Sequence, residues 1–326
     1  MLLVTGGAGF IGSNVVAALN EAGRADVAVC DVLGQDGKWR NLAKRQLADV
    51  VPPAELGDWL KGRRLDAVIH LGAISETTAT DGDLVIETNF RLSMRLLDWC
   101  TANSVPFIYA SSAATYGDGG QGFHDDQAAS ALRQLRPMNL YGWSKHLFDM
   151  AVVGRAERHE KLPPQWAGLK FFNVFGPNEY HKGSMMSVLA RRFDDIRSGR
   201  TVQLFKSHRD GVADGDQRRD FIYVDDTVRV MLWLLATPSV SGLFNVGTGT
   251  ARSFKDLMLS AYAALGKNPS IDYVDMPEAI RGSYQYFTQA DVDRLHGAGY
   301  NGGFTPLEEA VRLYVEGYLD RDDRFR

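Results

Sequence analysis

Short apolar runs alternate with helical patterns through the first half of the chain. Helical periodicity begins at about Phe10 and recurs across residues 83–103 and 138–160. The apolar runs have the length of strands and read LLVT, VAVCD, LDAVIHLGA, PFIYASS and GLKFFNVFG. Strands that alternate with helices in this way build a parallel sheet with helices on both faces. The pattern therefore predicts a doubly wound α/β fold.

The alternation loosens after Gly176. Further helices are predicted near residues 184–199, 225–236, 253–265 and 305–320, with short strands at FIYV and LFNVG. The stretch 207–220 is rich in glycine and charge and has no periodicity, which indicates a solvated loop that could close over a ligand. We therefore expect a large parallel-sheet domain of residues 1–173 plus about 219–248. A smaller, interleaved α/β domain would comprise about 174–218 plus 249–326.

Composition and charge exclude several classes of partner. The chain has 326 residues, of which 45% are hydrophobic and 23% charged, and its formal net charge is −4. No basic stripe that would favour nucleic acid is visible, and the longest apolar run, VMLWLLA at 230–236, is too short to span a bilayer. Cys30 and Cys100 lack the C-x-x-C spacing typical of metal and redox sites. The expectation is a cytoplasmic protein with no metal site, no nucleic acid and no membrane partner.

The segment TGGAGFIG (5–12) places Gly6, Gly9 and Gly12 three apart, after an apolar strand and at the start of a helix. Such glycines permit a tight turn and a close approach of the backbone to a pyrophosphate, which the helix N-terminus also attracts. Asp31 ends the second predicted strand, where a carboxylate accepts hydrogen bonds from the adenosine ribose. This context favours a dinucleotide site over a purely structural glycine turn.

The choice between NAD and NADP depends on the residues around Asp31. A carboxylate there would repel a 2′-phosphate, whereas Lys38 and Arg40 follow closely enough to neutralise one. Asp49 either meets the adenine amino group or is an exposed turn carboxylate. The sequence favours NADP and leaves NAD open.

The segment YGWSK carries a tyrosine and a lysine, Tyr141 and Lys145, on one face of a predicted helix. Lowering the pKa of a phenol from near 10 to 7 requires about 4 kcal/mol. An ammonium group about 4 Å away supplies roughly that much at an effective dielectric near 20. The pair is therefore expected to take a hydroxyl proton while a nicotinamide takes the hydride. Ser112, at the end of a predicted strand in YASSAATYG, could hydrogen-bond the reacting oxygen or merely cap a turn.

The motifs TGGAGFIG, HLGA (70–73), YASSAATYG, YGWSK and NVFGP follow one another in this order. With them the chain resembles the extended short-chain dehydrogenase/reductase superfamily over most of its length. The resemblance implies a Rossmann domain that binds a nicotinamide dinucleotide, with His70 a strand residue beside the cofactor. It implies cofactor contacts at Gly6, Gly9, Phe10, Ile11, Gly12, Asp31, Val32, Lys38, Asp49, Leu71, Gly72, Ala73, Ile74, Ser75, Thr88, Lys145 and Val174.

Later motifs resemble a narrower group, the ADP-L-glycero-D-manno-heptose 6-epimerase family. They are NVFGPNEYHKGSM, RRDFIYVDD (218–226), FNVGTG (244–249), RGSYQYFTQAD (281–291) and AGY (298–300). The resemblance implies a homo-oligomeric enzyme that inverts C6″ of an ADP-heptose on bound NADP, supplying heptose for lipopolysaccharide. It implies that Tyr141 and Lys182 are the acid/base residues, supported by Lys145 and Ser112. It further implies substrate contacts at Asn173, Ser184, Arg191, Phe205, Arg219 and Tyr284.

Lys182 has a physical reason to take part in such a reaction. An epimerase that returns the same hydride must present the opposite face of a ketone, so the oxygen points to a different part of the site. A second proton donor on another wall could serve that position, provided that burial lowers its pKa. The alternative is that Lys182 only pairs with the substrate diphosphate.

The sequence departs from this family in two respects: the segment 207–217 is longer than expected, and Arg191 stands where a histidine is expected. In addition, Pro53 stands where a lysine could help to hold a cofactor phosphate, which weakens the prediction of NADP without reversing it. Two other functions remain open: another nucleotide-sugar enzyme, such as a UDP-hexose 4-epimerase or a dehydratase, and a non-catalytic nicotinamide-binding regulator. A dehydratase is expected to carry an acidic pair where this chain has Ala113 and Ala114.

Overall fold

The computed structural model describes residues 1–281 and 284–326. The glycine and serine of the RGSYQYFTQAD motif, residues 282–283, lie outside the described residues. Within that part of the chain, no helix is long and apolar enough to cross a membrane, and no cluster of His, Cys, Asp or Glu side chains is arranged to hold a metal ion.

Twelve strands are found among the described residues. They are β1 (Leu2–Thr5), β2 (Val27–Cys30), β3 (Asp49–Val51), β4 (Ala67–His70), β5 (Phe107–Ser112), β6 (Trp166–Phe171), β7 (Asn173–Phe175), β8 (Val202–Phe205), β9 (Arg218–Tyr223), β10 (Gly242–Val246), β11 (Ala251–Ser253) and β12 (Ile271–Val274). Seven of them form one parallel sheet in the order β10-β6-β5-β4-β1-β2-β3. The predicted doubly wound Rossmann fold is therefore confirmed.

The α-helices connect these strands and cover the sheet. They are α1 (Phe10–Glu21), α2 (Leu56–Trp59), α3 (Gly82–Ile86), α4 (Leu92–Asn103), α5 (Ala129–Leu132), α6 (Leu140–Glu157), α7 (Val188–Ser198), α8 (Val224–Ala236), α9 (Phe254–Ala264), α10 (Glu278–Arg281), α11 (Asp293–Gly297) and α12 (Leu307–Tyr314). A π-helical turn, Glu87–Arg91, joins α3 to α4, so the predicted helix at 83–103 is one nearly continuous element. Another, Val315–Leu319, extends α12 across the predicted range.

The second half differs in detail from the sequence pattern. The predicted FIYV strand corresponds to the end of β9, which begins earlier, at Arg218, and stops at Tyr223, because Val224 begins α8. β9 pairs with β7 and β11 in a separate three-stranded sheet. β8 and β12 form a third, parallel pair. The helix predicted at 184–199 begins only at Val188, because a 3₁₀-helical segment with a break at Gly183 occupies Tyr180–Met185.

Three buried apolar clusters hold these layers together. Two lie on either side of the large sheet, around Phe107 and Phe148 on one face and around Val4 and Ile222 on the other. The third joins α7, α9 and α12 around Phe193 and Tyr314. The predicted division into two interleaved domains stays a prediction.

Candidate active site

A cavity of about 460 Å³ opens at the carboxyl ends of β1, β2, β4, β5 and β6. Open parallel sheets bind ligands at this edge. Most of the residues singled out in the sequence line it. They are Gly6, Gly9, Phe10, Ile11, Gly12, Asp31, Lys38, Leu71, Gly72, Ala73, Ser75, Ser112, Tyr141, Lys145, Asn173, Val174 and Lys182. The structure thus brings the glycine turn, the Tyr-Lys pair and the second lysine to one cavity.

Other predicted residues lie outside the lining of this cavity, namely Val32, Asp49, Ile74, Thr88, Ser184, Arg191, Phe205, Arg219 and Tyr284. Asp49 opens β3, at the opposite end from the cavity edge, and its carboxylate accepts a hydrogen bond of 2.7 Å from the Trp59 indole. The backbone of Ile74 is fixed by two hydrogen bonds with the Asn89 side chain, and Thr88 lies in the adjoining π-helical turn. Asp49, Ile74 and Thr88 therefore do not line the cavity.

The glycine turn leaves no room for side chains. A Cβ atom on Gly12 would lie 2.1 Å from the carbonyl oxygen of Gly6, and one on Gly6 would lie 2.6 Å from the amide nitrogen of Gly72. Gly6 also has a φ of +66°, a conformation that glycine adopts freely. The turn therefore packs backbone on backbone and presents α1 to the cavity by its N-terminus, as a bound pyrophosphate requires.

Asp31 is held at the end of β2 by its neighbours. Its carboxylate accepts hydrogen bonds of 2.8 Å from the backbone amides of Ala8 and Val32. The Lys38 ammonium lies 2.7 Å from the same carboxylate. The pair places one acceptor and one cation at the rim of the cavity. These residues, with the cradle formed by Gly6 and Gly12, fit a nicotinamide dinucleotide.

Helix α6 carries the Tyr-Lys pair to the end of β5. Its first turn is capped by Asn139, whose side chain accepts a hydrogen bond from the Gly142 amide. Gly142 allows close packing, because a Cβ atom there would lie 2.7 Å from the Ala114 carbonyl oxygen. Tyr141 and Lys145 lie on the side of the helix that faces Ser112 and the cavity.

The pKa values in this group differ from the expectation. Burial raises the pKa of the Tyr141 phenol, whereas its hydrogen bond with Ser112 acts in the opposite direction. Burial also lowers the pKa of Lys145 to about 8, against the raising effect of Asp149. The prediction that Lys145 brings the pKa of the phenol toward 7 is therefore wrong for the protein groups alone. A positively charged nicotinamide would act in the lowering direction.

The segment Tyr180–Met185 places Lys182 on another wall of the same cavity. The Lys182 ammonium lies 5.3 Å from the centre of the Phe10 ring, in cation–π range. Burial lowers its pKa, against the raising effect of Glu179. The break at Gly183, with φ 53° and ψ −122°, is a conformation that other residues rarely adopt. The HKGS segment is therefore a shaped turn with a partly desolvated lysine.

Arg219 lies near the cavity in an aromatic setting. Its guanidinium lies 5.6 Å from the ring centre of Phe254, which lines the cavity, and 5.1 Å from that of Tyr284. Phe205 packs edge-on against Tyr284. Arg219 is only 6% exposed, and within residues 1–281 and 284–326 no carboxylate lies within ion-pair distance of it. Burial consequently lowers the pKa of this guanidinium.

Arg191 and Ser184 contact each other instead of the cavity. The Arg191 guanidinium donates a hydrogen bond of 3.2 Å to the Ser184 carbonyl oxygen, and the Ser184 side chain is exposed. Their substrate role stays a prediction.

Sequence reasoning missed a buried ion pair behind the site. Asp149 and Lys170 are both fully buried, and the carboxylate also accepts hydrogen bonds from Ser111 and Tyr109. Asp149 lies one helical turn beyond Lys145, so the spacing from Tyr141 to Lys145 to Asp149 was a usable signal for the helix face. The cavity-lining residues His181, Met185 and Met186 were also missed, and their turn-rich context offered no comparable signal.

Comparisons with known proteins identify the family of this chain. The NAD dependent epimerase/dehydratase family matches residues 2–247. A protein from Nitratidesulfovibrio vulgaris named ADP-L-glycero-D-manno-heptose-6-epimerase is 48% identical, with the alignment covering 100% of both chains. The crystal structure of an enzyme of that name from Helicobacter pylori has a TM-score of 0.80 and 27% identity, covering 97% of this chain and 95% of that one.

A further solved structure contains a bound dinucleotide. The UDP-glucose 4-epimerase of Thermus thermophilus in complex with NAD is 26% identical, with a TM-score of 0.72 and 97% of each chain covered. Of these three proteins, the Nitratidesulfovibrio vulgaris heptose epimerase has the highest sequence identity to this chain. The chain belongs to the NAD dependent epimerase/dehydratase family and, within it, groups with the ADP-L-glycero-D-manno-heptose-6-epimerases.

Proposed function

We propose that the protein inverts C6″ of ADP-glycero-manno-heptose, converting the D-glycero to the L-glycero form for lipopolysaccharide core synthesis. The C6″ alcohol is oxidised to a ketone, which is reduced again from its other face. A nicotinamide dinucleotide bound at the glycine turn supplies the hydride acceptor and, once reduced, the hydride donor. The observation that carries this proposal is the presence of two perturbed acid/base groups, Tyr141 and Lys182, on different walls of one cavity.

Tyr141 serves one pose of the reacting carbon. Its phenolate takes the proton from the alcohol oxygen during oxidation and its phenol returns one during reduction, while Ser112 holds that oxygen by a hydrogen bond. Lys145 stands one turn further along α6 and favours the phenolate while its ammonium is protonated. Since burial raises the pKa of Tyr141, the phenol rests in its protonated state, ready to donate when a ketone is reduced.

Lys182 serves the opposite pose. A ketone that has turned over in the site directs its oxygen away from Tyr141, to the wall formed by Tyr180–Met185. There the ammonium donates a proton during reduction, and the amine accepts one during oxidation. The lowered pKa of this lysine eases the proton transfer in both directions.

Arg219 is the residue proposed to hold the substrate diphosphate. A guanidinium can donate two parallel hydrogen bonds to phosphate oxygens. Held between Tyr284 and Phe254 without a carboxylate partner among the described residues, it is oriented before the substrate arrives. Phe205 and Tyr284 then supply apolar surface beside it. Ser184, Arg191 and Asn173 complete the proposed set of substrate contacts.

NADP is the proposed dinucleotide, with NAD the alternative. Lys38 lies beside Asp31 at the rim of the cavity and offsets the charge that would otherwise repel a 2′-phosphate. Val32 and Thr88 remain proposed cofactor neighbours, whereas the position of Asp49 at the start of β3, bonded to Trp59, argues against the predicted contact with adenine. Self-association into a homo-oligomer and a cytoplasmic location also stay predictions.

The test uses each heptose epimer separately in single-turnover reactions. Tyr141→Phe and Lys182→Met should each abolish complete epimerisation and should lose the oxidation of different epimers. Lys161→Met, a change at an exposed lysine away from the cavity, serves as the matched control. In heavy water the product should carry no deuterium at C6″, because the hydride returns from the bound cofactor. If Lys182→Met changes only KM, Lys182 is a phosphate ligand and the two-residue mechanism is wrong.

A further inference from the structure

Residues 324–326, referred to here as the tail clamp, lie directly against the segment that carries Lys182. The Tyr180 hydroxyl donates a hydrogen bond of 2.9 Å to the Arg324 carbonyl oxygen. The Tyr180 and Phe325 rings meet edge to face with their centres 5.4 Å apart. The Arg326 backbone amide donates a hydrogen bond of 3.0 Å to the side chain of Asn178. The clamp therefore holds both ends of the short stretch from Asn178 to Tyr180.

Two of these residues, Phe325 and Arg326, are also fixed to the dinucleotide side of the molecule. The Arg326 guanidinium donates hydrogen bonds to Asn14 and Glu21 on α1 and forms an ion pair with Asp225 on α8. The Phe325 carbonyl oxygen accepts a hydrogen bond of 2.6 Å from Lys44. The tail clamp thus joins the Lys182 turn to α1, the helix whose first residue is Phe10.

Two contacts fix the outer part of this turn: the Asn41 side chain lies 3.3 Å from the His181 ring, and Arg191 donates a hydrogen bond to the Ser184 carbonyl oxygen. A Cβ atom built on Gly183 would have no neighbour within 4 Å, and Gly183 and Ser184 are exposed. The inner part is anchored by the buried Glu179, which accepts hydrogen bonds from Gly176 and Ser187. The segment is also tied directly to α1, because the Asn178 side chain donates a hydrogen bond of 3.0 Å to Ser13 and Asn14 donates one of 2.9 Å to the Pro177 carbonyl oxygen. The distance of Lys182 from the Phe10 ring depends on these contacts together with the clamp, which holds Tyr180.

We propose that the tail clamp positions Lys182 over the cavity, which makes Phe325 and Arg326 positioning residues for the second proton-transfer group. This inference rests on the proposed function, in which Lys182 donates and accepts a proton. Loss of the clamp lets the turn move relative to α1 and misplaces the ammonium. It leaves Tyr141 and Ser112 in place, because these belong to α6 and β5 and share no contact with residues 324–326 among those described.

The test compares Phe325→Ala with Lys182→Met and Tyr141→Phe in single-turnover oxidation of each epimer. Phe325→Ala should slow by about 10- to 100-fold the epimer whose oxidation Lys182→Met abolishes, since a misplacement near 1 Å has effects of that size. Oxidation of the other epimer and the content of bound dinucleotide should stay at the wild-type level. Asp322→Ala changes an exposed residue two positions before the clamp. It is the matched control and should leave both oxidation rates unchanged.

Tyr180→Phe provides a milder second variant if Phe325→Ala lowers the unfolding midpoint strongly. It removes the hydroxyl that donates a hydrogen bond to the Arg324 carbonyl oxygen and keeps the ring that packs on Phe325. Oxidation of the same epimer should therefore slow, but by less than in Phe325→Ala. Equal slowing of both epimers, or no slowing in either variant, would overturn the clamp. If Lys182→Met itself affects neither epimer, the proposed function fails, and that outcome is distinct from a failure of the clamp alone.

Discussion

The Lys170 ammonium lies 2.7 Å from the Asp149 carboxylate, and both side chains are completely shielded from solvent. Lys170 also donates a hydrogen bond to Thr115 and lies 5.0 Å above the ring of Tyr116. Asp149 in turn opposes the effect of burial on the pKa of Lys145. The pair therefore links the stability of the large sheet to the charge state of the lysine in the cavity.

Removing one partner of this pair should strongly destabilise the protein. Lys170→Met leaves a buried carboxylate without its cation, which costs about 3–5 kcal/mol of unfolding free energy. Urea denaturation at pH 7 measures the loss, with Lys161→Met as the control at an exposed lysine. Adding Asp149→Asn to Lys170→Met should recover part of the loss, because it removes the unpaired charge. A loss as small as that of the control would contradict the inferred role of the pair.

The buried imidazole of His70 is expected to make the stability of the protein depend on pH. Burial lowers its pKa to about 3, with the charge of Lys145 acting in the same direction. In the unfolded chain a histidine titrates near 6.5, so below that pH the unfolded state binds a proton that the folded state does not. Stability should therefore fall as the pH drops from 6.5, by about 2 kcal/mol at pH 5 from this group.

Replacing the histidine separates this effect from that of other groups. His70→Asn removes the titrating ring, so the difference in unfolding free energy between pH 7 and pH 5 should shrink by about that amount. The variant also disturbs the hydrogen bonds with Thr5 and Ser93, which lowers stability at both pH values. An unchanged difference between the two pH values would show that His70 does not carry the effect.

Gly12→Ala should release the dinucleotide. The added methyl group would lie 2.1 Å from the Gly6 carbonyl oxygen, so the turn has to move away from α1. We expect at least about a tenfold loss of cofactor affinity, which corresponds to about 1.4 kcal/mol. Isothermal titration with NAD and NADP measures this loss. Gly57→Ala is the control, because a Cβ atom there meets no atom within 4 Å; equal affinities in the two variants would disprove the role of the turn.

Arg219→Lys should weaken substrate binding almost as much as Arg219→Ala. A lysine keeps the charge but lacks the planar group that lies between Tyr284 and Phe254 and can contact two phosphate oxygens at once. Loss of a charged hydrogen bond to phosphate is worth about 1.5–3 kcal/mol, which is about 10- to 150-fold in KM. Steady-state kinetics measure this change, and an unaltered KM in both variants would make Arg219 a structural residue.

Lys38→Ala should reduce the preference for NADP over NAD. The ammonium lies beside Asp31 at the cavity rim, where it can also donate a hydrogen bond to a 2′-phosphate. Affinity for NADP should fall by at least about tenfold, whereas affinity for NAD should change little. Dinucleotide released from freshly purified protein, identified by mass, provides an independent check. Exclusive release of NAD from the wild type would reverse the proposed preference.

The large sheet was predictable because its strands are buried on both faces and therefore read as continuous apolar runs. LLVT, for example, is fully buried as β1. β3 was not predictable in the same way, since it has only three residues and exposes Asp49 and Val50. Helix periodicity likewise located α6 within a few residues, because its apolar face packs on the sheet.

The positions of the site residues were easier to predict from the sequence than the pKa shifts of their side chains. The spacing of Tyr141 and Lys145 fixed their common helix face, but the direction of the pKa shift of the phenol depends on burial, which spacing does not reveal. The contact between Tyr180 and Phe325 joins residues that are far apart along the chain. Only the packing of the folded protein brings such residues together, so no local sequence pattern could predict their contact.

The pairing of β10 with β6 fixes an order of events during protein synthesis. All of residues 172–241 must leave the ribosome after β6 and before Gly242–Val246 can pair with it. At about 5–20 residues per second this takes on the order of ten seconds. During that time β6 is an unprotected sheet edge, which can recruit strands from other chains. A nascent chain stalled before Gly242 should therefore depend on a chaperone or aggregate, although the residues of its glycine turn and of its Tyr-Lys pair have already been made.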